Sequence, residues 1–199
     1  MYITTTLQIL ISCPGDVAER FLPIIYDTVS NMNTSLKDVE EVMEDKIGTR
    51  IDLEVMYWGE NGRGEFLMGK TGQDVLNEQL VNNSDGTIGL FYRRLGTKTD
   101  KYPSGTVEEL EKTLERGKSA AIIHIRDKDS KRLSFDSDES FREYGRLQDY
   151  LDEAREKRRG LVISCNPDGL REHLKEQLKE ILRSELKRMP QEVDKYKDI

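Results

Sequence analysis

The chain has 199 residues, enough to bury the core of one domain without disulfide bonds. Its 38 acidic and 31 basic residues give a net charge of −7, which argues against broad binding to nucleic acid phosphates. The two cysteines suit a reducing compartment, and no stretch has the pattern of a signal peptide or a membrane span. We therefore expect a cytoplasmic protein with neither a membrane nor a nucleic acid as its partner.

Five short apolar runs divide the chain, and each has the length of a strand. Four of them, at 7–12, 87–92, 120–125 and 161–164, are mostly apolar, as buried strands are. The fifth, at 51–58, alternates in part between apolar and polar residues, which is typical of a strand nearer the sheet edge. Segments with apolar residues at helical spacing lie between these runs, so strands and helices alternate.

This alternation predicts right-handed βαβ crossovers and a parallel sheet with helices on both faces. We expect a flavodoxin-like α/β domain of three layers over residues 1–187, with a five-stranded parallel sheet. Pro23 lies within the first predicted helix and is expected to kink or shorten it. Residues 188–199 are polar and are predicted to form a tail or linker.

The last third of the chain adds extra C-terminal helices to this plan. One amphipathic segment covers residues 139–157. A second segment carries an apolar stripe at helical spacing, which consists of Leu170, Leu174, Leu178, Ile181, Leu182 and Leu186. We expect the stripe to pack on the sheet.

Two polar loops interrupt the pattern, and each follows a predicted strand. The first, at 59–72, contains five glycines and is expected to be mobile. The second, at 95–104, is polar and carries Pro103 near its end. Because open α/β sheets bind ligands at the carboxyl ends of their strands, both loops are expected at the ligand-binding edge.

A pair of glutamates follows the second loop, in the run from Ser104 to Glu109 that opens a predicted helix. Thr106-x-x-Glu109 has the pattern of a capping box, which is a structural role. A carboxylate in that first turn would also face the cleft at the sheet edge, where a sugar can bind. Helical phase does not separate Glu108 from Glu109, because both lie off the apolar side of the helix.

Other residues at the predicted edge have a binding interpretation beside a structural one. Amides from Ser12 to Asp16 could hold a phosphate, although Asp16-x-x-Glu19 is also a capping box. Arg94 could meet a phosphate there or remain a solvated surface charge. Trp58 could stack on a base or simply pack against the sheet. Two cysteines and two histidines without a recognisable spacing predict no metal site.

Two sets of motifs resemble known families. Gly105-Thr106-x-x-Glu109, followed by Glu115-Arg116-Gly117-Lys118 and an apolar strand, resembles the signature of nucleoside 2-deoxyribosyltransferases. A longer set resembles a bacterial TIR-like family that is related to those enzymes and often found in defence proteins. It consists of Ile11-Ser12-Cys13-Pro14-Gly15-Asp16-Val17 with Glu19-Arg20, Trp58, Gln73-Asp74, Ser84-Asp85, Arg94-Leu95-Gly96-Thr97 and Ser104 to Glu109, and spans roughly residues 5 to 185.

The resemblance implies a TIR-like fold and cleavage of an N-glycosidic bond, with Glu109 as the catalytic carboxylate. It also implies substrate-binding positions, which are Ser12, Pro14, Gly15, Asp16, Trp58, Asp74, Arg94, Ser104 and Thr106. Two departures matter for the choice of enzyme. Pro103 stands where deoxyribosyltransferases usually carry an Asp, and Trp58 is not on the strand that precedes Glu109, where TIR enzymes usually carry a Trp.

Three functions remain as expectations. The first is an NAD hydrolase that acts as an effector of bacterial antiphage immunity, with or without cyclisation of the product. It takes NAD as a substrate, needs no cofactor or metal, and is expected to be switched by self-association or by a regulatory partner protein. The second is a glycosidase or deoxyribosyltransferase for another nucleoside or nucleotide. The third is a non-enzymatic TIR-like interaction module in which Glu109 only caps its helix.

Overall fold

The computed structural model shows a parallel sheet of five strands. It describes residues 3–43, 49–61, 72, 75, 77–127, 134–157 and 162–188. The strands are β1 (Ile3–Ser12), β2 (Thr49–Met56), β3 (Gly86–Phe91), β4 (Ser119–Ile125) and β5 (Val162–Cys165). Their order is β2-β1-β3-β4-β5, and each neighbouring pair is parallel, which confirms the predicted flavodoxin-like sheet.

Helices cover both faces of this sheet, so the domain has the three layers that the sequence predicts. One face carries α1 (Gly15–Met43) and α5 (Leu170–Arg188). The other face carries α3 (Gly105–Glu115) and α4 (Asp138–Lys157). Three shorter elements complete the described chain: α2 (Trp58–Asn61) after β2, a π-helical turn (Asn77–Val81) before β3, and a 3-10 turn (Pro167–Gly169) before α5.

The buried strands supply side chains to both layers because successive residues of a strand point to opposite faces. Ile9 and Ile11 of β1 are 0% exposed and belong to the core beneath α1 and α5. Leu10, between them, packs with Leu80 and Val81 of the π-helical turn on the opposite face. The continuous apolar runs in the sequence therefore correspond to strands that are covered on both sides.

Two glycines in β3 let helices from both layers approach this central strand. A Cβ atom at Gly86 would lie 2.7 Å from Cγ2 of Ile181 in α5. A Cβ atom at Gly89 would lie 2.6 Å from Cδ1 of Leu110 in α3. The contact at Gly89 bears on the candidate site, because Leu110 directly follows Glu109 in the helix.

Pro23 does not shorten the first helix, so that part of the expectation is wrong. It lies inside α1, which runs for 29 residues. Phe21 and Ile25, two residues to either side of Pro23, are buried in the core. Packing of this kind offsets the hydrogen bond that a proline removes from a helix interior.

The predicted apolar stripe of α5 packs on the sheet, but it ends earlier than expected. Leu182 is buried, whereas Leu186 is 41% exposed and Glu185 occupies the buried position beside it. Lys118 donates a hydrogen bond of 2.7 Å to the Glu185 carboxylate. A buried carboxylate needs such a partner, and this one ties the C-terminal helix to the turn before β4.

His124 in β4 predicts a loss of stability in mild acid. Its side chain is 2% exposed, and burial, followed by the charges of Arg155 and Arg126, lowers its pKa from 6.5 to about 4. Between these two values the unfolded chain binds the proton more tightly, so the stability is fully present above pH 6.5 and falls as the pH decreases towards 4.

Urea unfolding at pH 7 and pH 5 checks this expectation, with His124→Gln as the comparison. We expect the wild type to lose about 1–2 kcal/mol more than the variant between these pH values. Equal losses in the two proteins would show that His124 is not the group responsible.

Several predicted features lie outside the described residues. They include most of the loop at 59–72, Asp74, and all but the first residue of the tail at 188–199, so the domain boundary at residue 187 stays a prediction. Across the parts of the chain that the structure describes, no helix combines the length and the apolar character needed to cross a membrane.

Candidate active site

The loops after β1 and β3 meet the start of α3 at the carboxyl edge of the sheet. The amide of Gly105 donates a hydrogen bond of 3.2 Å to the carbonyl oxygen of Thr97. Gly96 has a φ of +100°, and a Cβ atom there would lie 3.5 Å from Pro14 and 3.6 Å from Ser104. The left-handed backbone at Gly96 thus allows the β3 loop to pass between the β1 loop and the start of the helix.

Ser104 caps α3, which corrects the interpretation of Thr106 as the capping residue. The Ser104 hydroxyl accepts a hydrogen bond of 3.2 Å from the Val107 amide, and its own backbone is extended. Thr106 is buried inside the first turn. The capping Ser is therefore two residues earlier than the box in the sequence indicates, and the Glu109 side chain is bonded elsewhere.

Glu109 reaches across to the end of β1. It is 6% exposed, and its Oε2 atom accepts a short hydrogen bond from the Ser12 hydroxyl. Ser12 is the last residue of β1 and is 1% exposed. This contact brings together two predicted site residues that are 97 positions apart in the sequence.

Glu108 has a different environment from its neighbour. It is 4% exposed, and its Oε1 atom lies 3.0 Å from Nδ2 of Asn77 and 2.7 Å from Nζ of Lys112. Asn77 begins the π-helical turn before β3. Glu108 therefore connects α3 to this turn, whereas Glu109 contacts the end of β1. These contacts distinguish the two glutamates, which their positions around the helix do not.

Cys13, which follows Ser12, has a protonated thiol at neutral pH. Burial, then the nearby carboxylates of Asp16 and Glu109, raises its pKa to about 12. A thiol that is not ionised is a poor nucleophile. The Cys13 thiol is therefore a poor candidate nucleophile, and the Glu109 carboxyl group is the other candidate reactive group in this part of the site.

Asp16 joins the start of α1 to the end of β3. Its Oδ2 atom accepts a hydrogen bond of 3.0 Å from the amide of Arg93, so it links the two loops instead of capping its own helix. Burial raises the pKa of the Asp16 carboxyl, against the opposing effects of the Arg93 amide and the charge of Arg94. Oδ1 is buried and has no hydrogen-bond partner among the residues the structure describes.

A cavity of about 170 Å³ opens next to Asp16. Its walls come from the first turns of α1, the end of β3 and the segment that leads into α4. Two guanidinium groups lie close to the Tyr92 ring, with Arg20 at 5.2 Å and Arg93 at 5.3 Å from its centre. Arg94 also lines this cavity and is exposed.

The aromatic pair after β2 lies on the neighbouring strand end. Tyr57 is 6% exposed, and burial, followed by Cys13 and Glu60, raises its pKa to about 12. Trp58 is 46% exposed and opens α2, so it neither belongs to β2 nor packs fully against the sheet. The Tyr57 and Trp58 ring centres are 5.5 Å apart. The Trp58 face is accessible to a planar group.

The structure brings most of the predicted site residues to this edge. Gly15 opens α1 and has no atom near its Cβ position, so the backbone of the β1 loop is open on that side. Asp74 lies outside the described residues.

Asn77 is a site residue that the sequence does not indicate, because a single Asn before a strand carries no distinguishing pattern. In the described ranges, no group of three or more metal-ligating side chains comes together.

Comparisons with known proteins bear on the fold. The chain matches no protein-family model and no curated protein. Solved structures with a similar fold include oxidised flavodoxin 1 from Bacillus cereus, with a TM-score of 0.37 at 15% identity over 90% of this chain and 98% of that chain. The TIR domain heterodimer of RPS4 and RRS1 has a TM-score of 0.41 at 11% identity over 90% and 97%.

A further similar structure is 2-desoxiribosyltransferase from Leishmania mexicana, with a TM-score of 0.29 at 18% identity over 66% of this chain and 75% of that chain. These likenesses are distant, and the assignment of the fold rests on the strand order of the chain itself. The chemistry has to be argued from the site.

Proposed function

We propose that this chain is an N-glycosidase that cleaves the bond between nicotinamide and ribose in NAD. The observation that supports the proposal is the Glu109 carboxylate, which is buried at the carboxyl edge of the sheet and held by the Ser12 hydroxyl. The resemblance of the longer set of motifs to a TIR-like family favours NAD over a free nucleoside. Pro103 favours the same choice, because deoxyribosyltransferases usually carry an Asp there.

Cleavage of this bond needs a negative charge close to the ribose, and it needs no strong general acid. The bond between C1′ and the nicotinamide nitrogen breaks, and its electron pair leaves with the nitrogen. Nicotinamide departs as a neutral molecule, so no strong general acid is required. Positive charge develops on the ribose ring, and a carboxylate in a site of low dielectric constant stabilises it. Water then adds to C1′ and releases a proton, which gives ADP-ribose.

Base release from NAD and from free nucleosides tests the proposal directly. We expect nicotinamide to appear when the protein is incubated with NAD, as measured by chromatography. The assay covers a series of protein concentrations, because self-association is expected to switch the enzyme on and to raise turnover per molecule. NAD that stays intact across the series while a nucleoside loses its base would overturn the proposal in favour of a nucleosidase.

Ser12 acts in this proposal by positioning the carboxylate. Ser12→Ala removes the hydrogen bond to Glu109, and we expect kcat for NAD to fall about tenfold with little change in KM, because the substrate still binds but the charge is less well placed. Ser84→Ala is the matched control, since Ser84 is also 1% exposed and donates a hydrogen bond of 3.0 Å to Val81. Equal effects of the two substitutions on kcat would contradict the positioning role.

The same resemblance supports a biological role as an effector of bacterial antiphage immunity. An enzyme that depletes NAD must be restrained in a healthy cell, so the proposal includes control by self-association or by a regulatory partner. Expression during phage infection, with cellular NAD measured over time, tests this role. Unchanged NAD in infected cells would argue against it.

A further inference from the structure

We propose that the cavity beside Asp16 is a subsite for the ribose-phosphate part of a nucleotide, and that it selects nucleotides over free nucleosides. The inference rests on the proposed function and deepens it by naming the class of substrate. Asp16 links the two places: it lines the cavity, and it lies in the first turn of α1, four residues after Ser12, whose hydroxyl donates a hydrogen bond to Glu109. A substrate that extends from Glu109 past Asp16 therefore enters the cavity.

Arg94 supplies the cavity with an exposed guanidinium group. Its charge acts on the nearby Asp16 carboxyl, but no hydrogen bond or ion pair connects its side chain with another residue that the structure describes. Arg93 differs, because it bonds Asp127 at 3.0 Å. A guanidinium group in this state is suited to a phosphate, whose oxygens accept its donors in pairs.

Tyr92 contributes an aromatic ring to the cavity wall. The guanidinium groups of Arg20 and Arg93 both lie close to this ring, and the Tyr92 hydroxyl donates a hydrogen bond to Asp127. Asp16, Glu19 and Asp136 add carboxylates to the same cavity. A sugar hydroxyl is a donor that suits carboxylate oxygens, which only accept hydrogen bonds.

The charge and the size of the cavity argue against a simple anion site. The lining carries as many acidic as basic side chains, which are Asp16, Glu19, Asp136, Arg20, Arg93 and Arg94. A sugar phosphate offers several hydroxyl donors to the acidic side chains together with an anion for the arginines, whereas the donors of inorganic phosphate lie on the anion itself. The volume of about 170 Å³ is below the ~300 Å³ of ordinary ligand pockets, so the cavity holds a part of a nucleotide and not the whole.

Calorimetric titration of the full chain with ribose 5-phosphate tests the subsite without any turnover. We expect the wild type to bind ribose 5-phosphate more tightly than inorganic phosphate or ribose, and Arg94→Ala to weaken this binding roughly tenfold or more. Arg183→Ala is the matched control, because it also removes one exposed arginine, on α5 and paired with Glu180. Absence of binding in the wild type, or equal binding in Arg94→Ala, overturns the inference.

Kinetics separate a failure of the inference from a failure of the proposed function. If NAD is cleaved, we expect Arg94→Ala to raise KM for NAD about tenfold while KM for nicotinamide riboside, which has no phosphate, stays unchanged. Equal changes for the two substrates count against the subsite. If NAD is not cleaved but ribose 5-phosphate binding depends on Arg94, the proposed reaction fails and the subsite stands.

Discussion

Substitution of Glu109 by Gln is expected to abolish NAD cleavage, with kcat reduced about 10³-fold or more. The amide oxygen of the new side chain can still accept the Ser12 hydrogen bond, so the contact to β1 is retained. What disappears is the negative charge that stabilises the developing cation on the ribose. The melting temperature should stay the same or rise, because a buried neutral amide costs less than a buried carboxylate. Nicotinamide release and thermal unfolding of the purified variant give the two measurements.

Glu108→Gln is a closely matched control for this experiment. Both glutamates are buried and adjacent in α3, and both substitutions remove one negative charge. Glu108 is paired with Lys112 at 2.7 Å, so its loss should lower stability while leaving most of the turnover. A larger loss of turnover in Glu108→Gln than in Glu109→Gln would show that the catalytic carboxylate has been assigned to the wrong residue. Full turnover in both variants would show that neither glutamate is the catalytic carboxylate.

Gly89→Ala is expected to damage both stability and activity through the packing of α3. The added methyl group would lie 2.6 Å from Cδ1, 3.1 Å from Cδ2 and 3.2 Å from Cγ of Leu110, which is 1% exposed and cannot turn away into solvent. Overpacking of this kind costs about 1–3 kcal/mol. If the helix moves by roughly 1 Å to relieve it, Glu109 moves as well, and turnover should fall by about 10- to 100-fold.

Urea unfolding and NAD turnover of Gly89→Ala measure these two effects. Gly145→Ala is the control, because Gly145 lies inside α4 with no atom near its Cβ position. We expect that substitution to raise the free energy of unfolding by about 0.5–1 kcal/mol, since Ala favours a helix more than Gly does. Unchanged stability of Gly89→Ala would mean that α3 is not packed on β3 as tightly as these distances indicate.

The strands and their parallel arrangement follow from patterns that the sequence displays, whereas their order is read from the structure. Continuous apolar runs such as 87–92 and 120–125 can be covered only from both sides, and their alternation with helical segments leads to a parallel sheet with two helix layers. The run at 51–58 predicts a strand that ends too late. β2 ends at Met56, but Tyr57 and Trp58 continue the apolar pattern beyond it. Periodicity identifies an element well and its ends less well.

The cap of α3 shows why local patterns mislead at such ends. Thr106 precedes Glu109 at the spacing of a capping box, whereas the residue three positions after Ser104 is Val107, so the sequence alone indicates Thr106 as the cap. The choice is made by the β3 loop, in which Thr97 accepts the Gly105 amide and Gly96 fits between Pro14 and Ser104. These contacts join residues from three segments, and no local pattern contains them.

From the sequence alone, one can obtain the three-layer α/β domain, the sheet edge that carries the site and the motif that holds Glu109, because each depends on periodicity or on adjacent residues. The hydrogen bond of Glu109 with Ser12 and that of Glu108 with Asn77 are visible only in the folded chain. So is the cavity between α1 and the end of β3. These features arise where distant segments converge, and a side chain's partner there is set by the packing of whole helices against the sheet.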